Sequence, residues 1–239
     1  MTFEPYIFCL TAFLTSWFYC HLEMLHKYTC PQRVETELFE CKDGGTMGIS
    51  WYLDPKTGKG KPERNNVKKP ILLLLPGLGG GIDNSYTHIL ALEAQKHGYQ
   101  VAIVNFRGNG GIPITSYKVL CSCCWWDVKE AVDFVHTHYL INADTKEKQT
   151  QMYAYGASMG ALLLGLYLAN ESENAKVDGA GLYGCAYDVP NGAEYFYNNA
   201  YGMYSWACGI CLVNGIIAQL PQLRRYCSKE EGERITHAL

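Results

Sequence analysis

At 239 residues the chain is long enough to bury one substantial core, and a single folded domain is expected. Hydrophobic residues at 48% and charged residues at 18% exclude a disordered or fibrous chain. A net charge of −3 supplies no cationic field, so nucleic acid is not expected as a partner.

Residues 6–19 are apolar, but the flank Met1-Thr2-Phe3-Glu4-Pro5 carries no positive charge, so no convincing cleavable signal peptide is read there. The run is also shorter than the roughly 20 residues that cross a bilayer. Residues 1–30 are therefore expected to form a packed or membrane-surface segment, with a membrane anchor as the alternative. Residues 31–239 are expected to form the folded domain, and an intracellular location, cytoplasmic or membrane-associated, is expected for the whole.

Residues 33–41 alternate charged and apolar side chains, Asp43-Gly44-Gly45 turns the chain, and residues 46–53 return it, which predicts a hairpin. Residues 56–69 are rich in Lys and Arg. Glycine, asparagine and proline break any regular element there, so a solvated loop is expected. Ile71–Leu75 is five consecutive large aliphatics, the pattern of a strand buried on both faces. It runs into Pro76-Gly77-Leu78-Gly79-Gly80-Gly81. Residues 83–97 read as an amphipathic helix with Ile89, Leu90, Leu92 and Ala94 on or near its buried side, stopped by Gly98.

Residues 101–105 form the next buried strand, leading into Phe106-Arg107-Gly108-Asn109-Gly110-Gly111. Residues 125–140 carry Val128, Ala131, Val132 and Val135 at helical spacing. On that helix Asp127, Glu130 and Asp133 read as solvated charges, and His136 and His138 complement the dipole at its end. Residues 151–155 are a strand, 161–169 a helix and 177–184 one more short strand. Strands alternating with helices predict an α/β fold, a mostly parallel sheet covered on both faces. Residues 191–220 are aromatic and then apolar, consistent with cap or lid helices across the mouth of the sheet, and 224–239 are polar.

Eleven cysteines is a high and odd count. Two clusters, Cys121-Ser122-Cys123-Cys124 and Cys208-Gly209-Ile210-Cys211, lack a partner pair at zinc-finger spacing. They read as buried structural thiols, and no metal site is expected.

Gly156-Ala157-Ser158-Met159-Gly160 joins the strand 151–155 to the helix 161–169. A serine with a glycine two positions away on each side, between strand and helix, is a nucleophile elbow, in which the hydroxyl stands clear above the sheet. Acyl transfer needs a nucleophile and N–H donors aimed at the developing oxyanion. Ser158 is the expected nucleophile, and the backbone N–H groups of Met159 and Leu78 are the expected oxyanion donors. The loop Gly77–Gly81 lacks both the P-loop lysine and dinucleotide spacing, which argues against a phosphate cradle.

These blocks resemble the α/β-hydrolase superfamily, and within it the ABHD-type lipid esterase branch, which includes animal phospholipases and plant embryogenesis-associated proteins. The similar stretches are Leu72 through Gly80, Ser85-Tyr86, Gly98-Tyr99 with residues 101–105, Asn105 through Gly108, Cys123-Cys124 and the elbow. They run from Arg33 to Tyr187. The resemblance implies hydrolysis of carboxylic esters, of lipids or short chains, through an acyl-enzyme without metal or organic cofactor. It departs from the family pattern after the serine, where an acid and then a histidine are expected on loops after two further strands. Only 81 residues follow Ser158 (239 − 158), with one strand among them, so the C-terminal part reads as shortened and the last strands as missing. Asp188 is the candidate acid and His237 the candidate base. A non-catalytic, hydrolase-like lipid-binding protein or complex subunit is the alternative. The expected partners are an ester or lipid substrate, a membrane surface, and a second copy or complex partner.

Overall fold

The computed structural model describes residues 33–82, 84–198, 202–228 and 231. The expected N-terminal segment over residues 1–30 and the candidate base His237 lie outside the described residues.

The hairpin forms as expected. Strands β1 (Val34–Glu40) and β2 (Thr46–Tyr52) pair antiparallel, with Val34 opposite Tyr52 and Glu40 opposite Thr46. Their turn closes when the N–H of Cys41 donates to the Gly45 carbonyl at 2.7 Å and the N–H of Gly45 to Asp43 Oδ1 at 2.9 Å. β3 (Ile71–Leu75) follows, then α1 (Ser85–Lys96), β4 (Gln100–Asn105) and α2 (Trp125–Val135). Next come β5 (Met152–Ala157), α3 (Met159–Glu171), β6 (Gly179–Tyr183), α4 (Val189–Asn198) and α5 (Met203–Leu223).

The six strands form one sheet in the order β1-β2-β4-β3-β5-β6. β3 pairs parallel with β4 and with β5, and β5 pairs parallel with β6, while β2 meets β4 antiparallel. The aliphatic run Ile71–Leu75 occupies the middle because only an inner strand has both faces covered. Ile71, Leu73 and Leu75 enter the larger core with Val128, Val132, Leu163 and Leu164 from α2 and α3. Leu74, Val101 and Ile103 point the other way, toward Ala91 of α1. Burying each of these large aliphatics is worth about 1.5–3 kcal/mol, so this double layer carries the fold's stability.

Two helices depart from the expected reading. The periodic segment 125–140 is not one α-helix: it changes at His136 into a π turn, His136–Leu140. The wider turn buries both Tyr139 and Leu140 and sets the Tyr139 ring 4.7 Å from Trp51, edge-on, with its hydroxyl donating to Glu37. In α1 the buried side is made by Thr87 and Ala91, with Leu90 and Ala94 half-buried, whereas Ile89 and Leu92 are exposed. Small side chains let the helix approach the sheet closely, and Thr87 Oγ1 donates back to the Asn84 carbonyl at 2.7 Å.

After β6 the chain forms two helices where the sequence suggested them. The end of α5 reaches the loop that follows β4: Gln219 Nε2 donates to the Gly108 carbonyl at 3.1 Å, and Gln222 Oε1 accepts from the Ile114 N–H at 2.8 Å. Among the described residues no helix is long and apolar enough to cross a membrane.

Candidate active site

The turn from β5 into α3 has its shape because of its glycines. A Cβ on Gly156 would stand 2.5 Å from the Gly160 carbonyl oxygen, and one on Gly160 would stand 2.1 Å from the Leu75 carbonyl oxygen. Both distances lie well inside contact, so the strand, the helix and β3 meet here without side chains between them. Ser158 sits at the apex with φ 53° and ψ −116°, a left-handed backbone that costs a non-glycine residue on the order of 1–3 kcal/mol. The strain is held from both sides. The Ser158 N–H donates to the Tyr183 carbonyl at 2.9 Å, extending the β5–β6 pairing, and the Ser158 carbonyl accepts from the Leu162 N–H at 3.1 Å. The serine side is exposed to solvent.

Above the elbow lies a cleft of ≈ 680 Å³ whose lining includes Ser158, Gly77, Leu78, Tyr86, Ile89 and Tyr183. The glycine loop after β3 forms one wall. Gly77 packs so closely that a Cβ there would be 3.3 Å from Ser158 Cβ. The loop turns through Gly79 at φ 66°, with the Gly80 N–H donating to the Gly77 carbonyl at 2.9 Å. The N–H of Leu78, inside that turn, has no hydrogen bond among the described residues, nor does that of Met159, the first residue of α3. Such orphan donors at a helix start and a tight turn suit an anion.

Two further residues shape this wall. The Tyr86 hydroxyl accepts from the Gly77 N–H at 2.8 Å and itself lines the cleft, and Asn84 Oδ1 accepts from the Gly81 N–H at 2.8 Å. Sequence reasoning placed Tyr86 only within a similar block and gave Asn84 no role. The available signal was an asparagine immediately before a helix, the preferred place for a side-chain acceptor.

The second glycine loop is anchored by a buried ion cluster, which corrects the reading of Asp127 as a solvated charge. Asp127 is 0% exposed and Arg107 is 3% exposed. Arg107 Nε and Nη2 donate to the two Asp127 oxygens at 2.9 and 2.8 Å, and Nη1 donates to Asp43 Oδ1 at 2.9 Å and Ser116 Oγ at 3.1 Å. One guanidinium therefore ties the β4 loop, the hairpin turn and the first turn of α2 together. Burial pushes the Asp43 carboxyl up, but the hydrogen bonds from Arg107 and Gly45 outweigh it and hold the pKa at about 2. Glu130 and Asp133 are half-buried and ion-paired, with Lys42 at 3.9 Å and Lys176 at 2.7 Å.

The candidate acid Asp188 does not line the cleft. Its carboxylate accepts from the Asn191 N–H at 3.1 Å and from the Asn191 side-chain amide at 2.5 Å, capping α4. Among the described residues no histidine and no carboxylate lines the cleft. His88 pairs with the Tyr52 hydroxyl, His97 lies 3.4 Å from Glu93, and His138 Nδ1 lies 2.9 Å from the Phe134 carbonyl. Burial pushes the His136 imidazole below its ordinary value, which favours its neutral form in the π turn.

No protein-family model matches the chain. It is 31% identical over 144 residues to embryogenesis-associated protein EMB8 of Picea glauca, covering 60% of this chain and 30% of that protein. It is 30% identical over 161 residues to protein abhd-3.2 of Caenorhabditis elegans, covering 66% and 39%. It is 27% identical over 146 residues to phospholipase ABHD3 of Homo sapiens, covering 58% and 31%. The chain thus spans well under half the length of these curated relatives. Among solved structures, the Pyrococcus furiosus esterase Pf2001 superposes with a TM-score of 0.50 at 18% identity over 73% of this chain and 62% of that one, which shows a shared fold. The strand order, the serine elbow between β5 and α3 and these relatives agree: the chain has an α/β-hydrolase fold and is similar to ABHD-type α/β-hydrolases.

Proposed function

We propose that this chain carries the nucleophile and oxyanion site of a serine hydrolase acting on carboxylic esters of lipids or short acyl chains. The observation that carries the reading is Ser158, held at a positive φ and exposed in a cleft walled by the Gly77–Leu78 loop. In the proposed reaction Ser158 Oγ bonds to the ester carbonyl carbon, and the carbonyl electron pair moves onto oxygen. The N–H groups of Leu78 and Met159 receive that oxyanion. Collapse expels the alcohol and leaves an acyl-serine, which water then hydrolyses. The aromatic and aliphatic lining from Tyr86, Ile89 and Tyr183 suits an acyl chain. Relatives named as a phospholipase and, in Saccharomyces cerevisiae, as a monoacylglycerol lipase support an ester or lipid substrate.

The serine proton needs a base, and none of the described residues supplies one at the cleft. That observation supports a second reading, a hydrolase-like pocket that binds lipid without turnover. Labelling by a serine-directed fluorophosphonate, in parallel with hydrolysis of a short-chain aryl ester, tests the first. Slow labelling that vanishes in Ser158→Ala is expected, with Asp188→Asn and His237→Gln nearly unchanged. Labelling that survives Ser158→Ala removes the proposed nucleophile. Rapid turnover lost in His237→Gln makes His237 the base and ends the non-catalytic reading. The domain over 31–239, with residues 191–220 as cap or lid helices across the mouth of the sheet, belongs to the same proposal. It is supported by the Gln219 and Gln222 contacts to the β4 loop.

A further inference from the structure

The turn that leads into α2 carries three thiols unused by ester hydrolysis. Cys121 and Cys123 are exposed and Cys124 is buried. Cys121 Sγ lies 2.7 Å from Cys124 Sγ and 3.2 Å from Cys123 Sγ. The backbone holds the closer pair together: the Cys124 N–H donates to the Cys121 carbonyl at 3.1 Å, and the Cys121 N–H donates to Cys124 Sγ at 3.3 Å. These separations are too short for a shared metal. Thiolates on one tetrahedral zinc, with Zn–S bonds of about 2.3 Å, stand about 3.8 Å apart. They are instead the approach of two sulfurs that need only a small closing movement to bond.

The two thiols also differ in a way that fits sequential chemistry. Burial pushes the Cys121 thiol up, but the hydrogen bonds from Cys124 and Cys123 outweigh it and leave it below its ordinary value. Burial pushes Cys124 up to about 12. The accessible thiol is thus the better thiolate and the buried one stands behind it, with the first turn of α2 just beyond. Cys121-Ser122-Cys123-Cys124 has the Cys-x-x-Cys spacing and lies immediately before α2, with Cys124 at the helix N-cap.

We propose that Cys121 and Cys124 form a redox-active dithiol site whose reactant is a low-molecular-weight disulfide. Cys121 Sγ, as thiolate, attacks one sulfur of that disulfide. A mixed disulfide forms, the reagent's S–S bond breaks, and the first small thiolate leaves and takes a proton. Cys124 then gives up its proton and attacks Cys121 Sγ, closing the internal disulfide and expelling the second small thiol. The protein dithiol loses two electrons and two protons, and the reagent becomes two thiols. The Asp127 N–H donates to the Cys124 carbonyl at 3.0 Å, so the pair adjoins the residue that clamps Arg107 and the β4 loop.

Oxidised glutathione added to the full chain tests this, with rapid alkylation and peptide mapping as the readout. The expected result is a Cys121–Cys124 link with no glutathione retained, in the parent and equally in Cys123→Ser. Cys121→Ser should lose the link and gain no adduct at Cys124. The double variant Cys123→Ser/Cys124→Ser should retain glutathione on Cys121. A lasting adduct on Cys121 in the parent, a link to Cys123 instead, or alkylation of both thiols undiminished by the reagent overturns the proposal. Cys121 and Cys123 are exposed, so their serine variants keep the fold, and Cys121→Ser alone decides if the Cys124 change does not. The outcome does not depend on Ser158.

Discussion

β3 and α5 are both apolar in sequence, yet they have opposite fates. Every residue of Ile71–Leu75 is buried or nearly so, whereas Trp206 and Ile217 of α5 are 68% and 47% exposed. The difference is not composition but layering. β3 lies between two strands and between two helical layers, so each side chain meets a partner whichever way it points. The helices after β6 touch the rest of the described chain through α5's last turns, where Gln219, Gln222 and Leu223 meet the β4 loop or are buried. The same holds at the sheet's edges, where β6 leaves Tyr183 69% exposed. Apolar side chains are therefore structural in one region and available for contact in the other.

The comparison is broken most severely at the junction of β3 with the elbow. Gly160→Val places its branches against the Leu75 carbonyl, where even a Cβ would stand at 2.1 Å, and is expected to cost about 4 kcal/mol or more. Urea unfolding measures it, and parent-like stability would mean that the tight turn is not formed. Asp127→Ala comes next, because it strands the buried Arg107 charge. A loss of about 3–5 kcal/mol is expected, and a loss below about 1 kcal/mol would show that Arg107 finds water or another partner.

A smaller effect separates the ion cluster from ordinary surface charge. The Asp43 carboxyl, held at about 2 against an ordinary 3.8, is depressed in the folded state. It therefore contributes stability that is complete above its unfolded pKa and is lost as pH falls from 3.8 to about 2. The contribution is about 2 kcal/mol, so Asp43→Asn should flatten that part of the stability–pH curve. An unchanged slope between pH 4 and pH 2 would remove Asp43 from the clamp.

The smallest expected change sharpens the other side of the comparison. Ile217→Ser should alter stability by no more than about 0.5 kcal/mol while lowering self-association in light scattering. A loss of about 2 kcal/mol or more would place that side chain in a core and dissolve the contrast between the two regions.

Much of the frame and the serine elbow was legible in the residues themselves. An aliphatic run bounded by breakers can be read as an inner strand, and two glycines around a serine between strand and helix can be read as an elbow. Those are local signals, set by side-chain period and by backbone sterics, and they do not depend on distant partners. Three features were decided only in the folded chain. Asp127 looked like one more charge on a helix face, and became a buried ion because Arg107, twenty residues upstream, arrives under the same turn. Ile89 and Leu92 had helical spacing, yet the small residues Thr87 and Ala91 let α1 settle with another face inward. Asp188 follows β6, where an acid might have served the serine, but the first turn of α4 claims its carboxylate. In each case the deciding partner is remote in sequence or is a competing backbone group, and neither burial nor hydrogen-bond ownership is a property of a residue taken alone.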